Sequence, residues 1–294
     1  MRSGMVAIVG RPNVGKSSLL NALIGQKVAI VSHKPQTTRN RIQGVLHAKD
    51  AQIAFIDTPG IHALQSKALN RAMNESAIAA LEGVDVVLFV VDATKWTDED
   101  AQVLERLRGV QTPIGLVVNK VDYITDKTKL FPTLEKLSGM RDYAFVVPLS
   151  ALKRQNLEPL KKELIARLPE GPPLYPEGQI TGHDRRFAAA EIVREKLTRS
   201  LHQELPYALA VEIEQYEETA KVIRIEAVIW VEREGQKAIV IGAGGATLKG
   251  VGTTARKEIE RTFGRKVFLK LWCRVKENWS DDPAALKKFG LSAE

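Results

Sequence analysis

Gly10-Arg11-Pro12-Asn13-Val14-Gly15-Lys16-Ser17 decides the fold of this chain. It satisfies G-x-x-x-x-G-K-[ST], follows the apolar run Val6–Val9 and opens the helical pattern Lys16–Ile24. That context, strand before and helix after, is the one the motif needs. Glycines let the backbone curl so that its N–H groups point inward at phosphate oxygens, and the helix N-terminus adds partial positive charge. Lys16 is then placed to reach β- and γ-phosphates, and the Ser17 hydroxyl to ligate Mg²⁺, with Ser18 beside it.

Working outward, short apolar runs alternate with helical patterns. The runs are Val6–Val9, Ile53–Ile56, Val84–Val91, Ile114–Val118 and Ala144–Leu149. Helical stretches fall between them at Lys16–Ile24, Lys67–Leu81, Asp100–Leu107, Lys129–Leu137 and Leu157–Leu168. Strands that are apolar throughout predict a mostly parallel α/β sheet covered on both faces. One edge pair is expected to be antiparallel, because Arg41–Ala48 and Ala51–Ile56 are joined by a short turn at Lys49-Asp50.

Two further motifs stand at strand ends. Asp57-Thr58-Pro59-Gly60 follows Ile53–Ile56; its aspartate can hold Mg²⁺ through water, and Gly60 can offer an N–H to a γ-phosphate. Asn119-Lys120-Val121-Asp122 follows Ile114–Val118 and names the base. A carboxylate at Asp122 accepts from guanine N1–H and N2–H₂; adenine would leave it unpaired. Lys120 can lay its stem over the base, and Asn119 can tie this loop to the phosphate loop. Ser150-Ala151-Leu152 fits a loop whose backbone meets the guanine carbonyl.

The chain has 294 residues, 43 Lys+Arg against 35 Asp+Glu, and a net charge of +8. Its 44% hydrophobic and 27% charged content excludes a largely disordered or collagen-like chain, and its length suggests two domains. The single cysteine, Cys273, excludes an intramolecular disulfide and a cysteine-based zinc site, and a buried apolar role is expected for it. His33, His47, His62, His183 and His202 show no metal-ligand spacing. No apolar stretch is long enough to span a membrane, and Val6–Val9 is too short for a signal-peptide core. A cytoplasmic protein is expected.

Pro169–Gly178 holds four prolines and two glycines in ten residues, which excludes helix and central strand and reads as a linker. The expected division is residues 1–170, a linker at 171–180, and a second domain at 181–294. In the second domain the order is helix Arg185–Gln203, strands Ala208–Tyr216 and Val222–Glu232, a glycine-rich stretch Gly242–Gly252 in which Thr247–Lys249 can start a second helix, helix Thr253–Phe263 and strand Val267–Val275. Ile239-Val240-Ile241 reads as a strand leading into the G-x-x-G turn Gly242-Ala243-Gly244-Gly245. Between Lys249 and Lys276, including Arg256 and Lys257, nine positive residues face two acids, nearly the whole excess charge of the chain. Such a cluster suits phosphate neutralisation and salt-dependent RNA binding. Trp272, Trp279 and Phe268 are available for base stacking, with core packing expected for Trp272 and Phe268.

Four ordered motifs at strand ends look like a translation-factor-class GTPase. Lys34-Pro35-Gln36-Thr37-Thr38-Arg39 and Asp57-Thr58-Pro59-Gly60-Ile61-His62 resemble the Era family more closely, and α-β-β-α-α-β around G-x-x-G resembles a type II KH domain. The resemblance covers essentially the whole chain. It implies a P-loop GTPase domain with a KH domain binding the 3′ region of small-subunit (16S) ribosomal RNA, in a monomeric switch that serves 30S subunit assembly. It also implies GTP, GDP and Mg²⁺ as ligands, and permits weak contact with the inner face of an anionic membrane. Thr37-Thr38 would lie in switch I, with Thr38 ligating Mg²⁺ in the GTP state; spacing alone does not separate it from Thr37. Ile61 stands where many small GTPases carry a water-orienting glutamine, which predicts slow hydrolysis or another device. In related GTPases a P-loop asparagine at the place of Asn13 ligates K⁺; a simple turn role is the alternative. Lys16, Asn13 and Thr38 are thus the candidate catalytic residues. The family's G-x-x-G turn usually carries a lysine that Ala243-Gly244 lacks. The competing functions are a GTPase acting in tRNA modification or membrane-associated signalling, and an RNA-binding protein with a vestigial nucleotide site.

Overall fold

A computed structural model describes residues 1–32, 34, 37–60, 68–126, 128, 130–201, 205 and 208–291. Ile61, His62, Pro35 and Gln36 of the motifs above, and His33 and His202, lie outside the described residues. The chain forms two compact units, the main body of the first running to Gly182 and that of the second starting at His183.

The first unit is built on β1 (Arg2–Val9), β2 (Ile42–Ala48), β3 (Ala51–Asp57), β4 (Val86–Asp92), β5 (Ile114–Asn119) and β6 (Phe145–Pro148). The sheet order is β2-β3-β1-β4-β5-β6. Every neighbouring pair is parallel except β2 with β3, as the short Lys49-Asp50 turn demands. Every residue of β3 and of β4 is buried, the signature of a sheet covered on both faces. The covering helices are α1 (Lys16–Ile24), α2 (Ala68–Ala79), α3 (Asp98–Arg106), α4 (Leu130–Ser138) and α5 (Leu157–Arg167). Helix α3 starts two residues before the sequence expectation because Thr97 and Asp100 form a reciprocal capping box. Since β1 lies between β3 and β4, strand order reverses at β1, and a crevice opens beyond its C-terminal end.

The proline-rich stretch is pinned to this unit rather than hanging between domains. Its prolines lack N–H groups, but Ile180 and Thr181, just after it, pair along the edge strand β2. Gly44 bridges Thr181, the Val45 N–H donates to the Ile180 carbonyl at 2.9 Å, and Thr181 Oγ1 donates to the Gln43 carbonyl at 2.8 Å. Gln52, almost wholly buried, exchanges two 2.8 Å bonds with the backbone of Tyr175. The segment thereby covers a sheet edge that would otherwise present unpaired backbone groups.

In the second unit the order is α6 (Arg185–Ser200), β7 (Leu209–Glu218), β8 (Ile223–Val231), α7 (Glu234–Ile241), α8 (Ala246–Phe263) and β9 (Val267–Val275), followed by α9 (Pro283–Lys288). β7 pairs β8 antiparallel and β8 pairs β9 parallel. Ile239-Val240-Ile241 is not a strand: it is the last turn of α7, whose start is capped by Gln236 reaching back to the Glu232 and Arg233 amides. A short apolar run carries no period long enough to tell helix from strand. Helix α8 starts at Ala246, so Thr247–Lys249 and Thr253–Phe263 belong to one helix, which takes Gly250 and Gly252 into its interior.

Candidate functional site

At the crevice, Pro12, Asn13, Gly15, Lys16, Ser17 and Ser18 line a cleft together with Thr37, Thr38 and Gly60. Gly15 has φ +100, and a Cβ there would lie 2.3 Å from Asn119 Nδ2, so both conformation and space require glycine. Asn13 is exposed with φ 63, a left-handed position that asparagine tolerates. Lys16, 6% exposed, donates from Nζ to the carbonyls of Gly10 (2.9 Å) and Arg11 (3.0 Å). Burial lowers its pKa to about 8. The ammonium holds the loop's carbonyls in the place where phosphate oxygens would attract it.

Three oxygens converge beside it. Ser17 Oγ lies 2.8 Å from Thr38 Oγ1 and donates to Asp57 Oδ2 at 2.6 Å; Thr38 Oγ1 reaches the same oxygen at 3.4 Å. Asp57 is fully buried, its Oδ1 has no partner, and burial raises its pKa to about 6. A hard divalent cation fits this all-oxygen set, which would relieve both the orphaned oxygen and the cost of a buried charge. Thr37 turns away, its hydroxyl donating to the Lys34 carbonyl at 2.6 Å. Of the two threonines, Thr38 is the one whose hydroxyl faces Ser17 and Asp57. Among the described residues no group of three His, Cys, Asp or Glu side chains could hold a metal ion.

The Asn119–Asp122 motif stands at the C-terminal end of β5. Asn119, 2% exposed, donates from Nδ2 to the Val14 carbonyl at 2.8 Å and so ties this loop to the phosphate loop. Its Oδ1 accepts from the Lys120 and Ala151 amides. Asp122 Oδ1 is buried without a partner, the state of an acceptor awaiting donors.

Two further residues of the motifs bond within the fold. The Thr58 hydroxyl donates to the Ile8 carbonyl at 2.9 Å, a bond within the fold. Arg11 points its guanidinium at buried Asp100 (2.8 Å). Leu152 is 69% exposed. Sequence reading missed Ile30, Val31 and Ser32, which do line it. Asn21 Oδ1 accepts the Val28 and Ala29 amides and so places the approach to this segment, a tertiary arrangement with no motif.

The second unit carries a groove beside the G-x-x-G turn. Gly242, Gly244 and Gly245 have φ of 75, 56 and 80, so three of its four residues are left-handed. Gly245, Leu248, Lys249, Gly252 and Arg256 line one wall, and Leu269 and Leu271 of β9 the other. Lys257 is exposed but outside this lining. The basic cluster is more neutral than its composition: Arg256, Arg261, Arg265, Lys270, Arg274 and Lys276 each pair with an acid. Four of those pairs use acids from outside the 249–276 stretch, which a local count does not see. Lys249 and Lys257 have no ion-pair partner among the described residues.

Strand alternation also reverses the aromatic expectation. Phe268 and Trp272 are 56% and 42% exposed on the outward parity of β9, whereas Trp279 is fully buried against Phe289. Cys273, on the inward parity, packs on the core, and burial pushes its thiol up to about 11.

A family profile described as "50S ribosome-binding GTPase" matches residues 5–120, and one described as "KH domain" matches residues 204–280. GTPase Era of Stenotrophomonas maltophilia (strain R551-3) is 53% identical over 287 residues, covering 98% of this chain and 96% of its own. GTPase Era of Xanthomonas campestris pv. campestris (strain B100) is 54% identical over 289 residues, covering 98% and 97%. Two solved structures match at TM-score 0.96 and 40% identity over 100% of both chains. One is a variant of Aquifex aeolicus Era bound to GDP.AlF4-, the other Era in complex with MgGDPNP and nucleotides 1506-1542 of 16S ribosomal RNA. With both units matched in a single chain, the protein belongs to the Era family of GTPases, enzymes that hydrolyse GTP.

Proposed function

We propose that this RNA-binding GTPase is a switch that engages the 3′ region of small-subunit ribosomal RNA and assists 30S subunit assembly. The observation that carries the reading is the groove beside Gly242–Gly245, in which left-handed glycines and Lys249 present a low, positive surface to a nucleic-acid backbone. A relative 40% identical over the full chain, solved with a 16S ribosomal RNA fragment, supports the same choice of RNA. The reading puts the protein in the cytoplasm as a monomer, with basic surface available for weak contact with an anionic membrane. No helix of the described residues is long and apolar enough to cross a membrane.

In the nucleotide site, Lys16 would neutralise the β- and γ-phosphates, Asp122 and Lys120 would hold guanine, and Ser17, Thr38 and Asp57 would hold Mg²⁺. The cation, when bound, offsets charge on the phosphate oxygens during transfer. Thr38 then links the presence of the γ-phosphate to the position of switch I, the change a partner RNA can sense.

Replacing Ala243 and Gly244 with aspartate tests the RNA site. Like charge and bulk should repel the RNA backbone, and binding is expected to fall at least tenfold with a flatter salt dependence. Both residues are exposed, and aspartate tolerates the left-handed Gly244 position better than most side chains, so circular dichroism should report an intact fold. GTP affinity should stay near wild type. A folded double variant binding single-stranded RNA with the wild-type affinity and salt slope would place the RNA elsewhere.

Asn13 is proposed as a K⁺ ligand at the phosphates. Turnover should then be slow and faster in K⁺ than in Na⁺ at equal ionic strength, and Asn13→Ala should erase the difference. Equal wild-type rates in the two salts would leave Asn13 as a turn residue.

A further inference from the structure

We infer that Asp92 is the positioning residue of the base-reading end of the site, holding Lys120 over the face of guanine before nucleotide arrives. The inference rests on the assignment of Asn119–Asp122 to the base. Asp92 closes β4 in register with Asn119 of β5, so the carboxylate enters at the strand end where the motif begins. It is 9% exposed, and its two oxygens have separate partners. Oδ1 accepts from the Thr94 amide (2.9 Å) and hydroxyl (2.6 Å), which fix the carboxylate plane. Oδ2 accepts from Lys120 Nζ at 2.7 Å. Burial opposes the charge on Asp92, yet the hydrogen bonds from Lys120 and Thr94 outweigh it and hold the carboxyl below its ordinary range.

Lys120 is thereby held at both ends. Its backbone takes φ 67, rare for lysine, with the amide donating to Asn119 Oδ1 at 2.8 Å. Its ammonium is held by Asp92, so the four-carbon stem between them is stretched across the loop. A free lysine stem loses rotamer freedom when it packs on a ligand; here that freedom is already lost in the unliganded protein. The stem is then a preformed apolar surface beside Asp122, whose Oδ1 awaits donors. No nucleotide-binding motif includes Asp92; its trace in the sequence is a charge ending the otherwise apolar run Val86–Val91.

The test uses the full chain carrying Asp92→Asn, Asp92→Glu, Lys120→Met, and Asp92→Asn with Lys120→Met. Asp92→Asn should raise the GDP dissociation constant and the KM for GTP roughly tenfold, mostly through faster release, without lowering kcat. Asp92→Glu keeps the charge one methylene further out and should give a KM between wild type and Asn; this variant carries the test if Asp92→Asn does not fold. The double variant should lose no more than Lys120→Met alone, because Asp92 acts only through Lys120. A KM within twofold of wild type in both Asp92 variants overturns the inference, as do additive losses or a fall in kcat equal to that in kcat/KM. If the wild type bound ADP as well as GDP, the base assignment itself would fail; discrimination with unmoved Asp92 variants sinks only the role of Asp92.

Discussion

Asp122→Asn is expected to cut affinity for guanine nucleotides by about 3–5 kcal/mol, roughly 10²–10³-fold or more. The wild-type carboxylate can accept two donors from guanine, and its Oδ1 is buried with nothing else to satisfy it. An amide puts a donor where an acceptor is needed, facing the donor edge of the base. The same amide can donate to the C2 carbonyl of xanthine, so xanthine nucleotides should gain what guanine loses. Competition binding with GDP and xanthosine diphosphate reads both changes. Retained GDP affinity in the variant would remove Asp122 from the base-reading role.

Lys16→Ala should abolish measurable turnover, with a loss of at least ~10²-fold, because a preorganised charge next to the transferring phosphoryl group disappears. The fold should tolerate the change. Lys16 is a nearly fully buried cation whose pKa burial lowers to about 8, so removing it relieves a desolvation cost while leaving the Gly10 and Arg11 carbonyls to water. The second unit has its own core around Ile192, Leu197, Ile225 and Ile259, so RNA binding by the variant should persist in the absence of nucleotide. Normal GTP turnover with a folded Lys16→Ala protein would contradict the site.

Much of this was legible in the sequence, for one physical reason: a motif that joins a strand end to a loop carries its geometry in local spacing. Asn119 could be assigned to the phosphate loop before any coordinates, and it bonds the Val14 carbonyl. Other residues owe their positions to contacts distant in the chain. Asp92 meets Lys120 across two parallel strands, and Arg11 meets Asp100 across 89 positions. Ile30, Val31 and Ser32 reach the cleft because Asn21 folds the preceding chain back. That the Thr38 hydroxyl, rather than that of Thr37, faces Ser17 and Asp57 is likewise set by the fold and not by spacing. The aromatic residues of the second unit were misassigned because hydrophobicity was weighed without strand parity. Trp272 is bulky and apolar, yet alternation along β9 sends it outward while Leu271 and Cys273 turn in. Charge was overstated for a related reason: Glu214, Glu218 and Glu226 approach the basic residues from β7 and β8.

The central claim joins a guanine-nucleotide switch to ribosomal RNA held at the Gly242–Gly245 groove. Crosslinking the full-length protein to RNA in cells, followed by mapping of both partners, tests it most directly. The account predicts crosslinks concentrated near the 3′ end of small-subunit ribosomal RNA, on peptides from the Gly242–Gly245 turn and the Lys249–Arg256 face of α8. Recovery of mainly tRNA, or of ribosomal RNA crosslinked only to residues outside that groove, would contradict it.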